Sequence, residues 1–139
     1  MTENESTYFR KITTTLFGEL EIQKKNIFYF TEGLFGYENL SEFVLVSDED
    51  NKPFKWLQSI EKPEISFLLI NPLLIDNSYS PGKDFNFEKS AILVVVTMDI
   101  EKKQLIANMK APVILDMDEQ QGEQVIIASD KYSVTMISK

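Results

Sequence analysis

Residues 91–98 read AILVVVTM, and this stretch points to the fold class of the chain. It is short, free of charge and rich in β-branched side chains, a composition typical of a β-strand. It also falls far short of the ~20 apolar residues that a membrane-spanning helix requires. We therefore expect residues 91–98 to form one strand of a β protein.

Segments of the same kind lie on both sides of this run. Residues 19–22 alternate charged and apolar side chains, which is the period of two expected of a half-buried strand. Glycine and proline residues separate the segments, as turns require. Besides 91–98, the predicted strands are residues 10–17, 19–22, 26–30, 42–46, 54–60, 65–70, 104–109, 112–115, 124–128 and 132–137.

The number and spacing of these strands predict an all-β, mainly antiparallel fold, namely a small β-barrel-like domain. No stretch keeps a helical period for three turns, so we expect only one or two short helices, near residues 37–41 and 84–89. The chain has 139 residues and no internal repeat. We therefore expect residues 1–139 to form a single domain, with residues 1–8 as a loose N-terminus.

Two features leave more than one interpretation open. Residues 71–90 are irregular yet apolar, so we expect them to fold back over one end of the barrel, with a docking patch as the alternative. Trp56 lies in a segment that alternates, with Phe54, Trp56 and Gln58 pointing one way. We expect Trp56 to pack in the barrel core, and a role as an interface anchor is the alternative.

The composition limits the chemistry that the chain can perform. It contains no Cys and no His, which removes thiolate nucleophiles, Cys–zinc sites and the commonest general base. The acidic residues Asp116, Asp118 and Glu119 resemble a calcium loop only loosely, because Gln121 and Ile127 occupy its glycine and closing glutamate positions. We predict no catalytic residue, no cofactor and no metal site.

The charge favours basic partners. Lys and Arg total 14 against 22 Asp and Glu, a net charge of −8. Such a surplus repels phosphate backbones and attracts cationic surfaces. Two alternatives stay open, because 22 carboxylates could include a hydrolytic pair and because a small barrel could enclose an apolar ligand.

Six segments resemble one family, the bacterial flagellar assembly factor FliW. The resemblance runs from about residue 15 to residue 127, and the order and spacing of the pieces make it specific. The region between residues 72 and 91 looks shorter than in most members. The matching pieces are residues 17–22 (FGELEI), 30–34 with 36–38 (FTEGL and GYE), 53–59 (PFKWLQS), 67–72 (FLLINP), 111–114 (APVI) and 122–126 (GEQVI).

The resemblance implies a small, non-catalytic β-barrel-like protein of the cytoplasm. Its members bind CsrA, a basic RNA-binding dimer that represses flagellin translation, and they also bind flagellin. We further predict no direct nucleic-acid binding, no membrane contact and a monomer in the free state. The acidic start of the chain (MTENES) agrees with the cytoplasm, because a signal peptide begins with a basic and then an apolar stretch.

We predict a partner-binding edge where the segment 67–72 ends. Asn71 and Pro72 close an apolar strand, and the residues after them are expected at the surface. Two acidic residues lie close by in sequence and would suit a basic partner. The predicted partner-binding residues are Glu61, Glu64, Asn71, Pro72, Leu73, Leu74 and Ile75.

Overall fold

The computed structural model describes residues 9–47, 49–82 and 85–137 and contains eleven β-strands in that part of the chain. The expected loose N-terminus, residues 1–8, lies outside the described residues. Short 3₁₀ helices cover Lys24–Asn26, Glu49–Asn51 and Pro72–Leu74. The strands are β1 (Phe9–Thr14), β2 (Gly18–Gln23), β3 (Ile27–Tyr29), β4 (Glu42–Ser47), β5 (Lys55–Ser59), β6 (Ser66–Ile70), β7 (Ser90–Asp99), β8 (Gln104–Asn108), β9 (Val113–Asp116), β10 (Gln121–Gln124) and β11 (Val134–Ile137).

Seven of these strands close into a barrel, in the order β3-β4-β5-β6-β7-β9-β10 and back to β3. The pairings are antiparallel except the one that joins β10 to β3. Strand β7 is long enough to pair along one edge with two strands, β9 through residues 90–93 and β8 through residues 96–99. β11 extends the sheet beyond β8, and β1 and β2 form a separate hairpin. The predicted fold class is confirmed.

The inside of the barrel is filled by aromatic and aliphatic side chains. Phe30 and Phe43 are fully buried, with ring centroids 5.1 Å apart in an edge-to-face contact. Leu57, Leu69 and Leu115 surround them and are also fully buried. Burying each such side chain contributes roughly 1.5–3 kcal/mol. The barrel interior is thus a packed core, whereas an enclosed apolar ligand would need an empty one.

Two further cores lie on the outer surface of the barrel. Ile92, Val94 and Val96 of β7 point outward and are covered by residues 71–82, here called the covering segment, together with Phe85 and residues around 127–132. Val44 of β4 also points outward and is covered by the β1–β2 hairpin. Strand β7 is therefore buried on both faces, which explains why residues 91–98 form a continuous apolar run without alternation.

Two tyrosines hold the covering segment in place. The Tyr79 hydroxyl donates to the Met109 carbonyl over 2.7 Å, and the Tyr132 hydroxyl accepts the Ser80 N–H over 2.9 Å. Their ring centroids are 4.3 Å apart. Burial, and then the neighbouring Tyr132, raise the pKa of Tyr79 well above its ordinary value, so it remains a neutral donor. The covering segment was expected to fold over one end of the barrel, but it packs along the side of the barrel, on the outer face of β7.

Three local expectations differ from the structure. Trp56 was expected inside the barrel, but it lies on the outer face in register with Val46 and Leu68, with its ring against Phe17 at 5.9 Å. The predicted alternation of its segment is correct, but the two faces are reversed, because Leu57 and not Trp56 points into the barrel core. The expected helices near 37–41 and 85–89 are turns, and Asp84 lies outside the described residues. The strand expected at 124–128 lies instead at 121–124.

Candidate functional site

The predicted residues 71–75 form a short 3₁₀ turn on the covering segment. The Asn71 side chain accepts the Leu73 N–H over 2.9 Å and so caps the turn, while Pro72 is buried. Leu73 and Ile75 pack partly into the core outside β7. Leu74 points away from that core and is 61% exposed, so it is the member of this set that a partner could contact most fully.

Beside Leu74 lies a shallow groove, here called the edge groove. Residues 73–77 form one wall, and residues 131–135 form the other, with a volume of about 570 Å³. One negative and one positive side chain, Asp76 and Lys131, line it. Hydrogen bonds from Ser78 and, to a smaller extent, the charge of Lys131 lower the pKa of Asp76. The groove is therefore close to charge-balanced.

Glu61 and Glu64 are not brought together with residues 71–75. They lie in the turn between β5 and β6, whereas Asn71 follows the other end of β6. Glu64 is exposed. Glu61 accepts the N–H groups of Ser41 and Glu42 over 2.8 and 3.0 Å, and the Ser41 hydroxyl over 3.0 Å. Through these bonds Glu61 stabilises the conformation of the start of β4.

The protonation of Glu61 should couple to stability. Burial opposes its charge, but the hydrogen bonds from Glu42 and Ser41 outweigh burial and lower its pKa. A carboxylate with a lowered folded pKa stabilises the fold above its unfolded pKa and loses that contribution in acid. We expect Glu61→Gln to lower the melting temperature most at pH 7. The difference from the parent protein should shrink as the pH falls below about 4.5.

Thermal unfolding of both proteins between pH 7 and pH 3 measures this coupling. Solvent screening limits the effect to ~0–1 kcal/mol, because Glu61 is exposed. Glu64→Gln is the control, because it makes the same chemical change at an exposed position of the same turn. A difference between the Glu61→Gln and parent proteins that stays constant down to pH 3 would contradict the assignment.

A second groove, here called the acidic groove, is larger. It lies between the loop 31–38 and the β9–β10 hairpin and has a volume of about 680 Å³. Four carboxylates line it, and none of its described lining residues is Lys or Arg. Phe35, 49% exposed, adds an apolar surface. The four carboxylates are Glu32, Glu38, Asp116 and Glu123.

Local turns determine the shape of the acidic groove. Asp116 accepts the N–H groups of Asp118 and Glu119 over 3.0 and 2.9 Å, which closes the β9–β10 turn. The side chain of Gln124 joins the two walls, because it accepts the Phe35 N–H over 2.9 Å and donates to the Ala111 carbonyl over 3.0 Å. Two carboxylates, Glu32 and Glu123, carry no such bond in the part of the chain that the structure describes.

Sequence reasoning identified only part of this groove. The acidic cluster at Asp116 was noted for its loose likeness to a calcium loop, and it was not connected with Glu32 or Glu38. The signal that could have done so is the pair of matching pieces 30–38 and 122–126, which the fold places on facing walls. Local periodicity does not report contacts between residues about ninety positions apart.

The described residues hold no group of three or more Asp or Glu side chains placed to bind a metal ion. Among those same residues, no helix is both long and apolar enough to span a bilayer. The arrangement therefore offers two grooves on a packed barrel, one acidic and one charge-balanced, as surfaces for binding.

Comparisons with known proteins agree with the fold. The family described as FliW protein matches residues 11–137. The chain is 37% identical to the flagellar assembly factor FliW of Caldicellulosiruptor saccharolyticus over 130 residues, covering 87% of this chain and 85% of the relative. It is 34% identical to that of Clostridium botulinum over 133 residues, covering 89% and 93%. A crystal structure of the flagellar assembly factor FliW superposes with a TM-score of 0.80 at 29% identity, covering 90% of this chain and 94% of that one.

Proposed function

The chain belongs to the FliW family of flagellar assembly factors, and from this premise we propose that it is a non-catalytic cytoplasmic regulator that binds CsrA and flagellin. One observation carries the proposal for CsrA. Four carboxylates face one groove without a Lys or Arg among its described lining residues, on a chain with a net charge of −8. A basic protein is the partner that such a groove favours.

Electrostatics would act mainly on the encounter. The summed field of the acidic surface accelerates the approach of a cationic protein and repels RNA, whose phosphates carry the same sign of charge. Short-range contacts, such as those that Phe35 offers, would then determine how long the complex lives. No chemical step is needed for this activity, since binding alone changes the amount of free CsrA.

The proposed regulation is a switch between two exclusive complexes of a monomeric protein. While flagellin is abundant it occupies this protein, and CsrA is free to repress flagellin mRNA. When flagellin is exported, this protein binds CsrA and releases the repression. A preference of ~1.4 kcal/mol for one partner gives a tenfold difference in occupancy at equal concentrations. Because coupling is reciprocal, RNA bound to CsrA would weaken this complex by the same factor by which this protein weakens the binding of RNA to CsrA.

The decisive experiment mixes the purified protein with CsrA and a flagellin leader RNA. We expect RNA to be released as the protein is added, and added flagellin to reverse the release. RNA that remains bound at a saturating concentration of the protein would overturn the proposed antagonism. Capture of flagellin in the absence of CsrA tests the second partner separately.

Neutralising the acidic groove should weaken CsrA binding. In Glu32→Gln/Glu123→Gln two groove charges are lost, and exposed charges contribute ~0–1 kcal/mol each, so a combined loss of about 1 kcal/mol should lower the affinity roughly fivefold at low salt. The dependence of affinity on salt should also become less steep, because fewer charges are screened. Titration calorimetry at two ionic strengths measures both quantities.

The matched control is Glu19→Gln/Glu21→Gln, which removes the same charge from exposed positions on β2. Equal losses in the two double variants would mean that only net charge matters and that the acidic groove is not the CsrA site. The earlier predicted residues stay in the proposal as two separate surfaces, one formed by Glu61 and Glu64 and the other by residues 71–75. Reversing both glutamates tests them, and unchanged CsrA affinity at low salt would remove them from the interface.

A further inference from the structure

The side chain of Gln124 connects two segments that lie far apart in the sequence. Its oxygen accepts the Phe35 N–H over 2.9 Å, and its NH₂ group donates to the Ala111 carbonyl over 3.0 Å. Both partners are backbone groups with a fixed role, one a donor and the other an acceptor, so a single orientation of the amide satisfies them. A carboxylate of the same shape could accept the first bond but could not donate the second.

The bond to Gln124 ties the loop 31–38 to the opposite wall of the acidic groove. Within the described part of the chain, the other hydrogen bonds of this loop join it to itself or to its immediate flanks, as when the Tyr37 N–H donates to the Leu34 carbonyl over 2.7 Å. Those local bonds shape the loop. The bond to Gln124 sets the position of Phe35 relative to β10.

Phe35 offers an aromatic ring among the carboxylates of the acidic groove. The ring is 49% exposed, whereas the preceding Leu34 is buried in the barrel core. A basic side chain can place its charge near carboxylates while its apolar stem, or the flat face of a guanidinium, lies against an aromatic ring. The groove therefore offers a basic partner an apolar contact in addition to its charge.

We propose that Gln124 is a positioning residue for the CsrA complex, because it holds Phe35 in place as the anchor for a basic side chain of the partner. The inference rests on the proposed function, since it takes CsrA as the occupant of the acidic groove. An anchor that is fixed before binding loses less conformational freedom on association. The carboxylates and Gln124 then have separate roles. The charges govern the association rate, and the positioned ring governs the dissociation rate.

The first test is Gln124→Met, which removes both hydrogen bonds without changing the net charge. We expect the CsrA complex to dissociate at least about fivefold faster. The association rate and its dependence on salt should stay within about twofold of the parent, because the carboxylates are unchanged. Stopped-flow mixing at two ionic strengths measures these rates. A general distortion of the groove would instead change the association rate and its salt dependence as well.

Gln124→Glu and Gln121→Glu separate position from charge. Both residues line the acidic groove, so both variants add one negative charge there. Among the described residues, only the Gln124 side chain of this pair forms hydrogen bonds. Association should become faster in both variants, because the groove becomes more negative. Dissociation should become faster only in Gln124→Glu, since its carboxylate cannot donate to the Ala111 carbonyl. Equal dissociation rates for the two variants would overturn the inference.

Two further measurements ask whether Gln124 acts through Phe35. The Phe35 amide should exchange its hydrogen faster in Gln124→Met than in the parent, and this measurement needs no partner. In the Phe35→Ala background, Gln124→Met should cost little further affinity for CsrA, because the anchor is already absent. Unchanged exchange of the Phe35 amide, or fully additive losses of affinity, would overturn the inference. If the parent protein does not bind CsrA, the proposed function fails, and exchange of the Phe35 amide still tests the positioning.

Discussion

Replacing Phe30 with alanine is expected to lower the free energy of unfolding by about 3–5 kcal/mol. Phe30 is fully buried at the centre of the barrel core, where its ring contacts Phe43 edge to face with centroids 5.1 Å apart. Truncation removes the transfer free energy of the ring and leaves a cavity that a closed barrel cannot collapse to fill. Single domains have total stabilities of roughly 5–15 kcal/mol, so the variant would lose a large share.

Urea unfolding of the parent and variant proteins measures the loss. Phe35→Ala is the control, because it makes the same change on a ring that is 49% exposed, and surface changes usually stay within about 0.5 kcal/mol. A Phe30→Ala variant that unfolds within about 1 kcal/mol of the Phe35→Ala variant would contradict this account of the core.

The contact between Gly122 and Phe30 allows a second test of the barrel core. A Cβ atom built at Gly122 would collide with the Phe30 ring. Gly122→Ala should therefore destabilise the parent protein by overpacking, typically by about 1–3 kcal/mol. In the Phe30→Ala background the obstacle is gone, so the combined cost should be smaller than the sum of the two single costs. Additive costs would mean that the two residues do not share a contact.

Replacing Gly33 with alanine is the second change with a large expected effect. Gly33 has a φ of +65°, where an alanine costs roughly 1–2 kcal/mol. Its Cβ would also lie 2.5 Å from the Tyr37 carbonyl oxygen and 2.7 Å from the Glu38 Cα. Both obstacles are backbone atoms and cannot rotate away, so overpacking should add about 1–3 kcal/mol.

Gly18→Ala separates the two causes. Gly18 has a similar φ of +69°, but no atom lies within 4 Å of a Cβ placed there. It should therefore show only the conformational cost, and the difference between the two variants in urea unfolding reports the collision. Equal stabilities of the Gly33→Ala and Gly18→Ala variants would show that the loop 31–38 can shift to accommodate the added Cβ without a measurable cost. Because this loop forms a wall of the acidic groove, Gly33→Ala should also weaken CsrA binding more than Gly18→Ala does.

Much of the fold could be predicted because its signals are local. The alternation in residues 19–22 and the apolar run at 91–98 report directly on whether one or both faces of a strand are buried. The turns are local as well, since glycines at positions 18, 33 and 36 have a positive φ. Most predicted strands therefore coincide with observed ones to within a few residues.

The errors arise where a local pattern has two equivalent solutions. The alternation around Trp56 identifies two faces, but it does not say which face turns inward, and the large indole was assigned to the wrong one. The strand expected at 124–128 follows its apolar residues, whereas β10 is more polar and lies at 121–124 because it must pair with β9 and β3. Pairing across the barrel overrode local propensity at this strand.

The chain's composition and periodicity were enough to establish an acidic, all-β chain without Cys or His and to predict a preference for basic partners. Those properties are sums over the residues or patterns among near neighbours, so they can be found without the tertiary structure. The location of the binding surfaces depends on which distant strands meet. The closure of β10 onto β3 brings Glu123 and Glu32 into one groove, and the approach of residues 131–135 to residues 73–77 forms the other. Contacts between segments that are distant in the sequence create both grooves, and local sequence patterns do not indicate which distant segments meet.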